Sequence, residues 1–259
     1  MRDIYELEKK SLDLMIDLRK KYGMTDIKGE FEAEGSSLND IQRLRRITLQ
    51  AKTKLYVKIG GVEALRDIYD CCEIGVDGII APMVETKFAA KKFLDSIEKV
   101  EHKKKIYKIS INIETVTGFN NIDQILSILS GHIDNITIGR SDLSSSYFEI
   151  NTKPNSQKIL NLIKKIILKC KKHNISTTVG GNVNNQTRNI FQKDLFYQNN
   201  LNKIETRKVI INPKIFVKNK NSLKKALEFE KLYILLKKEY MDMRIKSEMN
   251  RLSELKNRL

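Results

Sequence analysis

Apolar positions along the chain repeat with two alternating periods. In the first 22 residues Ile4, Leu7, Leu12, Met15, Ile16 and Leu18 stand among charges at near-helical spacing, and Gly23 follows as a stop. Beyond it, short β-branched runs alternate with longer amphipathic stretches. The runs predict strands over 27–31, 55–59, 78–81, 108–113, 135–138, 176–179 and 208–211. Segments between them, such as LNDIQRLRRITLQAK, ALRDIYDCCEIG, KFAAKKFLDSIEKV, NIDQILSILS and SQKILNLIKKIILKCKKH, are long enough to cross back over a sheet as helices. Stretches 182–189 and 199–203 read as polar loops. From Asn221 onward the chain reads as one long helix or a helical hairpin, with a stripe of Leu, Phe, Tyr and Met suited to packing.

This alternation is the pattern of repeated βα units around a parallel sheet. A doubly wound sheet would carry a glycine-rich phosphate turn after its first strand, and neither GxGxxG nor GxxxxGK[ST] occurs. The expected fold class is therefore α/β, a (β/α)8-type TIM barrel in which seven strands are visible and one is weak or missing. The 259 residues suit a single barrel, for which about 250 is typical. Residues 1–219 are expected to form the barrel with its N-terminal helix. Residues 220–259 form a C-terminal helical extension that packs on the barrel or on a partner subunit, which would make the protein a homo-oligomer.

Composition narrows the setting. No run approaches the roughly 20 apolar residues that cross a bilayer, and the charged start MRDIYELEKK lacks the apolar core of a secretory leader. A cytoplasmic protein without membrane contact is expected. Three cysteines, two of them adjacent at Cys71 and Cys72 in a predicted helix, argue for buried small side chains over a disulfide framework. Three histidines without ligand spacing leave oxygen atoms as the donors for any metal. The net charge of +16 is uneven: residues 1–150 hold 23 Lys and Arg against 24 Asp and Glu, and residues 151–259 hold 25 against 8. The surplus lysines stand beside Asn and Ile without interleaved aromatics, which favours a solvated surface over a nucleic-acid groove. Nucleic-acid binding would instead show itself by a steep loss of affinity with salt.

In an α/β barrel the reactive groups lie at the C-terminal ends of the strands. Those positions are polar here: Glu32 and Glu34 in FEAEG, Lys58 and Gly60 in VKIGG, Pro82 and Glu85 in APMVE, Glu114 in IET, Gly139, Arg140, Ser141 and Asp142 in GRSD, then Gly180, Gly181 and Asn182. Glu114 and Asp142 each follow an apolar strand, where burial is costly without a cation or donor. With waters and a bidentate α-keto acid, the two could complete the near-octahedral oxygen shell of Mg²⁺ or Mn²⁺. The same positions equally suit acids that cap the following helices. Glu205 and Arg207, just before the last apolar run, read as structure at the bottom of the barrel.

Three runs taken in order, VKIGGVEALRDIYDCCEIGVDGIIAPMVET, INIETVTGFNNIDQI and IDNITIGRSDLSSS, resemble the HpcH/HpaI aldolase and citrate lyase family of pyruvate/oxaloacetate barrels. The resemblance is good over residues 27–148 and weak beyond. It implies a metal-dependent carbon–carbon lyase or aldolase that acts on a pyruvate-like keto acid through an enolate, with an aldehyde or sugar as partner. Glu114 and Asp142 would be the Mg²⁺ or Mn²⁺ ligands. The family places an Arg where this chain has Lys58, so Lys58 or Arg140 is expected to steady the enolate oxygen. Glu32 or Glu34 would orient water or relay a proton, and Gly60, Pro82, Gly139 and Ser141 would line the substrate. A barrel that has lost turnover and serves as a binding or assembly subunit is the alternative, prompted by Lys58 and the missing strand. Both acids and the glycine turns persist in order, which argues for an enzyme.

Overall fold

Period-two alternation within each strand divides this protein into two environments. In a computed structural model that describes residues 2–31, 33–100 and 107–258, eight strands close a barrel in chain order. They are β1 (Met24–Glu30), β2 (Lys54–Lys58), β3 (Gly78–Ala81), β4 (Lys108–Ile113), β5 (Asn135–Gly139), β6 (Ser176–Gly180), β7 (Lys203–Glu205) and β8 (Val209–Ile211). Ile27, Val57, Ile79, Ile111, Ile136 and Val179 are fully buried in the apolar sleeve between sheet and helices. The alternate positions, among them Lys28, Glu30, Asn112 and Thr137, face the barrel interior and are polar.

The sleeve is closed from outside by α1 (Arg2–Lys21), α2 (Leu38–Gln50), α3 (Leu65–Ile74), α4 (Lys87–Val100), the short α5 (Val116–Asn120) with α6 (Ile122–Leu129), the one-turn α7 (Arg140–Ser145) and α8 (Gln157–Lys172). Local signals start and stop these helices. Ser37 and Asp40 form a reciprocal capping box on α2, and Gly75 ends α3 in the left-handed region. Cys71 and Cys170 are buried, burial pushes the Cys170 thiol up to about 12, and no disulfide joins the cysteines. Among the described residues, no helix is long and apolar enough to cross a membrane.

The structure departs from the sequence reading after β6. Residues 182–189 are not a continuous loop, because Asn184 caps α9 (Asn185–Lys193) by accepting from the Thr187 amide. After α10 (Leu195–Asn200), the missing strand is β7, whose three residues are too few and too charged to signal a strand. β7 pairs parallel with β6. The last strand then turns back in a tight hairpin, so that β8 runs antiparallel to both β7 and β1. This reversal carries the chain to the bottom of the barrel, where α11 (Pro213–Lys218) leads into α12 (Asn221–Lys256), one uninterrupted helix with no hairpin. Leu223, Ala226, Phe229, Tyr233 and Leu236 bury the first half of α12 against α1 and β8. Its second half leaves Met241, Ile245, Met249 and Leu252 exposed.

At the bottom of the interior, Lys203 pairs with Asp26 at 2.7 Å and lies over the Tyr56 ring. Tyr56 is in register with Gly78, and a Cβ at Gly78 would come within 2.3 Å of the ring. Gly78→Ala should therefore overpack the barrel and lower stability by about 1–3 kcal/mol, read as a lower urea midpoint at unchanged slope.

Candidate active site

β1 to β7 all end at one rim, and that rim surrounds a cavity of about 510 Å³. Its acidic side is built on β4 and β5. Glu114 follows Ile113 directly and is only 4% exposed. One carboxylate oxygen accepts from the Met83 amide at 3.1 Å and the other from Asn112 Nδ2 at 3.2 Å. Met83 holds φ at 49°, an unusual value for a residue with a long side chain, and its amide meets Glu114 from that conformation. Gly139 leaves the room: a Cβ there would lie 2.5 Å from Glu114 Oε2. Asp142, in the first turn of α7, is exposed and lines the same cavity.

Burial is the main reason the Glu114 carboxyl is raised above the ordinary glutamate value, and the Asp142 charge adds to it. Lys58, the Met83 amide and Asn112 pull the other way without winning. Asn112 Oδ1 is buried without a hydrogen-bond partner. Glu114 does not cap the next helix, since Thr115 does so by accepting from the Gly118 amide. A buried carboxyl and a second carboxylate facing one cavity make a donor set that suits a hard divalent cation.

The opposite side is a chain of alternating charges. Lys28, buried on β1, meets Glu205 at 2.5 Å and Glu30 at 2.6 Å, and Glu30 meets Lys58 at 3.4 Å. Burial alone would lower the Lys28 ammonium, but the two carboxylates outweigh it and hold it well above the ordinary lysine value. Burial likewise works to raise Glu30, yet Lys28 and Lys58 keep it below its usual range. Lys58 and Glu30 thus line, as an ion pair, the same cavity that Glu114 faces.

Glu114, Asp142, Lys58, Gly139 and Ser141 are brought together around the cavity. Other expected site residues are not. Arg140 is fully buried away from it, with its guanidinium donating to the Gly180 and Gly181 carbonyls, Asn155 and Thr187. Burial without a carboxylate lowers Arg140 to about 10, so it stays charged as a strut between α7 and the end of β6. Gly60 donates to Asp67, and neither Gly60 nor Pro82 lines the cavity. Glu34 is engaged by Arg207 and Lys208, tying the β1–α2 loop to the β7–β8 turn. Glu32 lies outside the described residues.

Glu205 and Arg207 correct the sequence reading in the other direction. The reversed β8 puts the β7–β8 turn at the rim, so Glu205 and Arg207 line the mouth and not the bottom. Lys28, Glu30 and Asn112 were also missed. The available signal was the two-residue spacing of Asp26, Lys28 and Glu30 and of Ser110, Asn112 and Glu114 within otherwise apolar strands, which sets them on one face.

The protein is thus an α/β barrel with carboxyl groups gathered around the cavity at its mouth. The sequence profile of the HpcH/HpaI aldolase/citrate lyase family matches residues 39–203, and the chain belongs to that family. Its function is accordingly of the aldolase/citrate lyase type. No curated protein matches the chain in sequence. Among solved structures, an HpcH/HpaI aldolase/citrate lyase family protein from Burkholderia cenocepacia J2315 is similar at 11% identity and a TM-score of 0.62, covering 85% of this chain and 89% of that one. The HpcH/HpaI aldolase from Desulfitobacterium hafniense DCB-2 is similar at 14% identity and a TM-score of 0.56, over 70% and 76% of the two chains. A variant of the citrate synthase SbnG shares 15% identity and a TM-score of 0.55 over 85% and 90%. At these identities the structures share the fold.

The raised Glu114 sets a stability test. The fold favours its neutral form, so that contribution is present below the ordinary value of 4.5 and is lost as pH rises through the raised one. In Glu114→Gln the amide keeps an acceptor for Met83, and Asn112 can turn its unpartnered Oδ1 toward the new donor. Without added metal, this variant should unfold at higher temperature than the parent at pH 7, and the difference should close below pH 4.5 in a calorimetric pH series.

Proposed function

We propose that this protein makes or breaks a carbon–carbon bond next to a pyruvate-like keto acid, with an aldehyde or sugar-like carbonyl compound as the second partner. The observation that carries the reading is Glu114, a carboxyl buried at the cavity wall that accepts from the Met83 amide and from Asn112 and faces the same space as Asp142. Glu114 and Asp142 would hold Mg²⁺ or Mn²⁺, which when bound supplies Lewis-acid polarisation of the keto group.

The chain's own residues then divide the remaining work. Lys58 offers a positive charge to the keto acid's carboxylate or to the developing enolate oxygen. Because Glu30 holds the Lys58 ammonium from one side and Lys28 holds Glu30, that charge is fixed in place before substrate arrives. Ser141 and the Gly139 backbone border the same space and orient the substrate, while Arg140 holds their loop through the Gly180 and Gly181 carbonyls. Glu34 acts through structure, holding the rim closed against β8. The exposed Met241, Ile245, Met249 and Leu252 of α12 support a homo-oligomeric assembly.

Titration calorimetry tests the site. Pyruvate or oxaloacetate should bind in the presence of Mg²⁺ or Mn²⁺, and removing the metal, or substituting Glu114→Gln or Asp142→Asn, should weaken binding at least about tenfold, roughly 1.4 kcal/mol. Equal binding with and without metal would discard the metal-held keto acid.

A further inference from the structure

The mouth cavity is lined by five carboxylates among the described residues: Glu30, Glu114, Asp142, Glu205 and Glu230. Glu30 and Glu205 are consumed by Lys28 and Lys58. Glu114 accepts two hydrogen bonds and, with Asp142, has been assigned to the cation. Among the described residues, no group of three His, Cys, Asp or Glu side chains stands close enough to hold a metal, so Glu230 is not a third member of that set. It is left over, with no hydrogen bond or ion pair to any described residue.

Its placement is specific. Glu230 lies on α12 one turn after Leu227, which lines the same cavity, and follows Phe229, whose burial against the barrel fixes that turn of helix. It also lines a second cavity of about 430 Å³, walled by Tyr233, Ile234, Met241 and Ile245 of α12 and by Arg207 and Glu34 of the rim. A carboxyl shared by the keto-acid cavity and an adjoining apolar one stands where the two halves of a carbon–carbon bond would meet. The neighbouring charges are Arg207 and Lys208 from the β7–β8 turn, Glu34 from the β1–α2 loop and Lys28 from β1. Burial raises the Glu230 carboxyl above its ordinary value, and Glu34 adds to the rise against the pull of Arg207, Lys208 and Lys28.

We propose that Glu230 is the proton carrier of this site, taking a methyl proton from the bound keto acid and returning it to the oxygen of the aldehyde. This rests on the keto-acid reading above. In the bond-forming direction the Glu230 carboxylate removes a proton from the carbon next to the keto group, and the C–H electron pair becomes the enolate. The enolate carbon attacks the aldehyde carbon, the carbonyl electron pair moves to the aldehyde oxygen, and that oxygen takes the proton back from Glu230. The residue ends as it began, and no outside acid, base or oxidant is consumed.

Exchange of the pyruvate methyl protons in D₂O with Mg²⁺, followed by NMR, isolates the first half of this cycle. Glu230→Gln should slow exchange by about 10²- to 10⁴-fold, the usual worth of a positioned base, while calorimetry shows pyruvate binding intact. The parent's exchange should rise with pH along a limb lying above the ordinary glutamate range, Glu230→Asp should keep that limb, and Glu230→Gln should lose it. A Glu230→Gln protein that exchanges at the parent's rate overturns the proposal, as does a parent that binds pyruvate and exchanges nothing, which leaves the keto-acid site standing. A parent that fails to bind pyruvate with metal removes the keto-acid reading and the proton carrier with it.

Discussion

One ammonium group at the centre of the barrel organises the rest. Lys28 is buried between Glu205 and Glu30, and burying any of the three alone would cost several kcal/mol. Together they are mutually satisfied, and they join β1 to β7 across the barrel interior. That network reaches across the mouth: Glu30 pairs with Lys58, and Lys58 in turn eases the charge on the buried Glu114. A polar barrel interior is tolerable only because its groups are paired, and an apolar sleeve outside the strands supplies the stability that such pairing does not.

The reversed last strand has consequences at both ends. It delivers Glu205, Arg207 and Lys208 to the rim, where Glu34 meets the two cations. It also releases the chain at the bottom, so that α12 has the whole height of the barrel to climb beside α1 before it reaches the mouth with Leu227 and Glu230. A parallel β8 would have ended at the rim and could not have presented the first half of α12 in this way.

The barrel was legible because its periods are strong. β3 and β4 coincide with the runs 78–81 and 108–113, and α4 coincides with KFAAKKFLDSIEKV, since each buries one continuous apolar face. β7 was illegible because only Ile204 of its three residues is apolar, and its strand character comes from pairing with β6 and β8. At the cavity, Glu114 stood out in the sequence because an acid directly after an apolar strand is conspicuous, and Asp142 because it follows the next such strand by three residues, in the first turn of α7. Arg140 misled for the same reason: its position in GRSD is correct, but which way a guanidinium turns depends on carbonyls at Gly180 and Gly181, forty residues away.

Taken by itself, the sequence determined the fold class, the family resemblance and the position of Glu114 directly after its strand, because these follow from local period and from which residue types can sit at a strand's end. Only the tertiary structure decided the direction of β8, the pairing of Lys28 with Glu205 and the arrival of Glu230 beside the mouth. Those depend on contacts between residues far apart in the chain, such as the 177 positions separating Lys28 from Glu205, and no local pattern encodes the partner across such a distance.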